Sequence, residues 1–108
     1  MNSTLRELQD QVATWANRNF PNTPPHRPLL GAVEELGELS HAHLKMEQEI
    51  RGGFTEHQAA KVDAVADAII FLAHYCELNA IDLDSAVWLT WAEVRKRNWV
   101  VDPKGGQA

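Results

Sequence analysis

The sequence predicts an all-α fold, a four-helix antiparallel bundle-like domain whose apolar exterior is completed by oligomerisation. Apolar residues recur at helical spacing in four stretches, and capping residues, prolines or glycines separate those stretches. No run alternates with the period of a strand.

The first helix opens at Thr4, which forms a capping box with Glu7, and Leu5, Leu8, Val12, Trp15 and Ala16 carry it to near Asn19. From Phe20 to Pro28 the prolines exclude helix, because each lacks an amide donor and constrains the residue before it. Pro28 suits the first turn of a second helix, which runs to about Ile50 and stops at the glycines of Arg51-Gly52-Gly53. Thr55 with Gln58 makes the next capping box, so a third helix starts close to Glu56 and continues to about Asn79. Asp82 or Asp84 caps a fourth, which carries Val87, Trp88, Trp91 and Val94 before Pro103 and a Gly-rich end. Residues 1–100 form one domain, and 101–108 are expected to be a flexible tail.

Composition narrows the function. A net charge of −5 with no long basic tract argues against a nucleic-acid polymer as partner. Cys76 is the only cysteine, so an intrachain disulfide and a Cys/His zinc framework are both excluded and a reducing, cytoplasmic setting is expected. The N-terminal residues do not resemble a secretory leader and no apolar stretch reaches membrane-spanning length, which predicts a protein with no membrane partner.

The chemistry lies in acids set among apolar residues. On the second helix, Leu29, Ala32, Val33, Leu36, Leu39 and Met46 form a wide apolar arc, and Glu35 falls inside its edge. Glu38 is its neighbour one turn on, while Glu34 points toward the polar side near Lys45. The third helix is apolar nearly all round, with Asp63 and Asp67 one turn apart on a stripe that continues to His74. An antiparallel pairing lets Glu35 and Glu38 face Asp63 and Asp67. Converging carboxylates repel, so protonation or a cation must relieve them, and a donor set of hard oxygens favours Mg²⁺, or Mn²⁺, over zinc.

Glu-Glu-Leu-Gly-Glu at 34–38, followed by an apolar helix with Asp67 in Val-Ala-Asp-Ala-Ile-Ile-Phe-Leu, resembles the MazG-like all-α nucleoside triphosphate pyrophosphohydrolases over about residues 28–99. The resemblance implies an EExxE motif and an ExxD motif that bind Mg²⁺ and support hydrolysis of a (d)NTP to the monophosphate and pyrophosphate. It implies Glu35 and Glu38 as metal ligands and Asp67 as the closing acid of the second motif. Where such proteins usually carry the Glu of ExxD this chain has Ala64, and Asp63 is the nearest acid on that side of the helix.

On that reading Glu38 or Glu34 accepts the proton of an attacking water. Lys45, Arg95 and Arg97 are the candidate phosphate contacts, with Lys61 behind them, and Trp91 or Trp99 is a candidate for stacking on the base. The apolar circumference of the third helix predicts a homodimer or homotetramer. Ala64 motivates the alternative of a catalytically weak or inactive member that binds a nucleotide or a protein.

Plainer roles compete. Acidic runs are commonly solvated helix faces, Arg95-Lys96-Arg97 suits the negative end of a helix dipole, and His74 suits a hydrogen-bonded core. His41 and His43 project to opposite sides of a helix and do not pair on a metal, and Cys76 is expected to be an inert buried thiol.

Overall fold

The computed structural model describes residues 4–106. It is all-helical, with α1 over Leu5–Asn19, α2 over His26–Gln48, α3 over Phe54–Leu78 and α4 over Leu83–Val94. Thr4 caps α1 as its sequence predicts, its Oγ1 accepting the Glu7 N–H at 3.1 Å.

Three helix ends differ from expectation. α2 begins at His26, inside the proline-rich stretch, because Pro28 falls in the first turn, where a missing N–H breaks no intrahelical bond. It stops one residue before a Glu49 that adopts the left-handed conformation (φ 58°, ψ 40°), ahead of the glycines, and the Glu49 N–H returns to the Lys45 and Met46 carbonyls. Gly53 instead serves as the N-cap of α3. Its N–H donates to Glu56 Oε1 at 3.3 Å, so the capping box uses Glu56 rather than the Thr55–Gln58 pair.

α2 and α3 form an antiparallel hairpin: Gly31 lies against Phe71 near one end, and Met46 Sδ meets Lys61 Nζ at 3.8 Å near the other. The seam is built of small residues. Ala32 and Ala42 of α2 and Ala64 and Ala68 of α3 are all buried, which lets the two helices approach closely. Buried His57 closes the connection, its Nε2 hydrogen-bonded with the Ile50 carbonyl oxygen at 2.9 Å.

α1 packs on α3 and touches α4, which turns away from α3 at 107° and has no buried residue. The α1 anchor is Gln9, 1% exposed. Its Nε2 donates to the Ile81 carbonyl at 2.8 Å and to Glu77 Oε1 at 3.1 Å, while its Oε1 accepts the Leu83 N–H at 2.9 Å. One amide thus satisfies the α3–α4 turn and the first free N–H of α4. Replacing Gln9 by Leu leaves two backbone groups without partners, and urea denaturation should show a loss of about 2–4 kcal/mol.

Beyond α4 the chain folds back through turns. Asn98 Oδ1 accepts the Val100 and Val101 N–H groups at 3.1 and 3.0 Å, and Gly106 N–H donates to the Asp102 carbonyl at 2.8 Å.

The single chain is open for its size. Its radius of gyration is 17.3 Å, against about 13 Å for a folded domain of this length. It exposes 8001 Å², where about 6000 Å² is usual for this mass. Leu29, Val33 and Leu36 on α2, and Val62, Val65 and Ile69 on α3, are all at least 39% exposed. No single helix among the described residues is long and apolar enough to cross a membrane.

Candidate active site

Glu35 is the one buried carboxylate among the described residues, 9% exposed in the middle of α2. Its place follows from the helical repeat, which puts it one turn after Gly31 on the side of α2 that faces α3. Oε2 is buried without a hydrogen-bond partner. Burial holds the carboxyl above the usual range, and the nearby charges of Glu38, Asp67 and Glu34 raise it further. An acid in this setting accepts a proton or a cation in place of the water it has lost.

The hairpin therefore brings Glu35, Glu38 and Asp67 together, with Glu34 at the margin. Asp63 is exposed and is not among the acids that act on Glu35. The neighbouring position, Ala64, is buried in the α2–α3 seam at 3% exposure. Among the described residues no three His, Cys, Asp or Glu side chains already converge at metal-holding spacing.

Glu35 and Asp67 form one wall of a cleft of ≈ 640 Å³ between α1 and the hairpin, within the size range of small-molecule sites. Trp15 and Phe20, whose rings meet edge-on with centroids 5.5 Å apart, face the acids from the α1 side. Ile70 and Phe71 continue the α3 wall. Gln11 and His74 also line the cleft, and neither side chain makes a hydrogen bond within the described chain. Burial lowers His74, which favours the neutral ring. Among the described residues no Lys or Arg lines this space.

The basic and aromatic candidates from sequence lie elsewhere. Lys45 is in the last turn of α2, where its Nζ donates to Gln48 Oε1 at 2.9 Å. Arg95 and Arg97 are exposed beyond the end of α4. Trp91 borders a separate, shallow hollow with Ala86, Val87, Thr90 and Val94, and Trp99 packs on Gly106. Trp15, Phe20 and Gln11 were not legible as site residues, since Trp15 reads as one more apolar position on an amphipathic helix. Cys76 is buried and its thiol is pushed up by burial, as expected for an inert cysteine.

The fold and site define an all-α domain with a buried acid beside an aromatic cleft. The chain is similar to the dATP/dGTP diphosphohydrolase of Cyanophage S-2L, with 28% identity over 102 residues that cover 92% of this chain and 81% of that protein. No protein-family model and no solved structure matches the chain.

Proposed function

We propose that this protein is a divalent-metal-dependent nucleotide pyrophosphohydrolase that converts a deoxynucleoside triphosphate to its monophosphate and pyrophosphate. The carrying observation is Glu35, a buried acid with an unpartnered oxygen, crowded by Glu38 and Asp67 at the wall of an aromatic cleft. The distant likeness to a protein named for dATP and dGTP supports the choice of substrate class.

The donor set fits a hard cation. Glu38 and Asp67 supply further carboxylate oxygens on the side of Glu35, and Glu35 Oε2 lacks any other partner. Among the described residues no cleft-lining Lys or Arg is available to neutralise a triphosphate. Glu35, Glu38 and Asp67 would hold Mg²⁺ or Mn²⁺, which when bound offsets phosphate charge and lowers the pKa of water. Asp63 has no part in this assignment.

The chain's own groups supply the rest. Trp15, Phe20 and Phe71 present aromatic surface to a base, and Gln11 and His74 offer hydrogen bonds to its edge. Water attacks the α-phosphorus, the bridge to the β-phosphorus breaks, and pyrophosphate leaves. Exposed Glu34, at the rim of the acid group, takes the proton of the attacking water.

The assembly that we infer with this reading is a homodimer or larger homo-oligomer. The surface in excess of an ordinary monomer, about 2000 Å² per chain, is enough for an obligate interface.

A panel of deoxynucleoside triphosphates assayed with Mg²⁺ and with Mn²⁺, with pyrophosphate and monophosphate quantified separately, tests the function. Equimolar release of the two products, lost in Glu38→Gln while the circular dichroism spectrum is retained, is the expected result. Ala64 at the position of a usual ligand favours a second reading, a binding protein without turnover. Thermal stabilisation by nucleotide with no product under either metal would decide for it.

A further inference from the structure

Gly31 stands one helical turn before Glu35, and Phe71 one turn after Asp67, so the two residues form the layer of the hairpin next to the acids. A Cβ added at Gly31 would lie 2.6 Å from Phe71 Cε1, 2.7 Å from Cδ1 and 2.8 Å from Cζ. Carbon atoms pack at about 3.5–4.0 Å, so even one methyl group is incompatible with the ring where it stands.

The glycine is not required by the backbone. It lies inside a helix, where Gly costs roughly 1 kcal/mol relative to Ala, and it is not among the positive-φ residues. Gly37, in the same helix, has nothing within 4 Å of its added Cβ. The role of Gly31 is therefore steric, and the group it accommodates is a ring that lines the cleft. Were position 31 to carry a side chain, the α2 backbone would bar the ring on one side. Ala32 and Ala68, adjacent in the seam, are buried. The free volume is the cleft itself.

We propose that Gly31 determines the size of base the cleft accepts: by letting Phe71 seat against α2, it keeps room for the two-ring base of a purine deoxynucleotide. A Cβ at position 31 drives the ring into the cleft and leaves space for a one-ring base only. This rests on the reading that a nucleotide occupies the cleft.

The test is calorimetric titration of the full chain with dAMP and with dCMP, which need no turnover, for wild type, Gly31→Ala, Phe71→Leu and the double variant. Gly31→Ala should weaken dAMP by about 10-fold or more relative to dCMP, the scale of one methylene in a fitted pocket. Phe71→Leu in the same chain should return the dAMP to dCMP ratio to that of wild type, because the displaced ring is gone and the lost aromatic surface weakens both ligands alike. Phe71→Trp overfills the same space with the α2 sequence unchanged, and it should shift the ratio in the same direction if Gly31→Ala does not fold. Wild type that binds dAMP, with a ratio unmoved in both Gly31→Ala and Phe71→Trp, overturns the role of Gly31 and leaves the cleft as the nucleotide site. Wild type that binds neither monophosphate overturns both.

Discussion

Replacing Glu35 by Gln is expected to cut metal-dependent turnover steeply and, in the same protein, to raise the melting temperature measured in EDTA. The two effects share one cause. Glu35 is buried beside Glu38 and Asp67 with an unpartnered oxygen, so its ionised form is disfavoured in the fold. A carboxyl raised by folding contributes stability that is complete below its unfolded pKa and is lost as pH rises through its folded value. Metal-free wild type should therefore lose stability as pH increases above the ordinary carboxylate range, and Glu35→Gln should lose that slope. Gln also donates N–H groups toward the neighbouring carboxylates. Turnover should fall by on the order of 10²–10³-fold, the scale seen when one preorganised electrostatic partner is removed from a reacting centre. A variant that keeps turnover, or that melts lower than wild type in EDTA at neutral pH, contradicts the placement of Glu35 at the centre of the site.

The second large effect concerns assembly. Light scattering coupled to size exclusion is expected to give at least twice the 12.1 kDa chain mass, with a melting temperature that rises with protein concentration. Val65 is 50% exposed in the middle of the apolar stripe Val62, Val65, Ile69 on α3. Val65→Asp places a charge where a second copy would exclude water, so it should split the assembly. The separated chain should melt lower, because its excess apolar surface stays wet. Wild type that runs at the mass of one chain at every concentration would show that the open shape is that of a stable monomer.

Much of this arrangement is legible in the residues. Helical spacing identifies four helices, and the same spacing selects Glu35 as the acid that turns inward and Glu38 as its neighbour. Asp63 and Asp67 both read as ligands from sequence, and that only Asp67 of the two acts on Glu35 is not legible. Both lie on one stripe of α3, and the helical repeat specifies angle around an axis while leaving open how far one helix slides along another. The Gly31–Phe71 contact and the Ala seam set that slide, and they bring Asp67 to Glu35. The aromatic wall was missed for a related reason. Trp15 on α1 and Trp91 on α4 have the same local pattern, and only the packing of α1 over α3 decides which of them faces the acids. The end of α2 at Glu49 could not be anticipated beside two glycines, since a non-glycine residue in the left-handed region is uncommon.

The two faces of the cleft come from separable stretches of chain: the acids from α2 and α3, the opposing aromatics from α1 and Phe20 just beyond it. α1 is secured mainly through α3 and the Gln9 contacts rather than through α2. Substitutions within that one short segment can therefore reshape the opposing face of the cleft while the acid-bearing hairpin keeps its own packing.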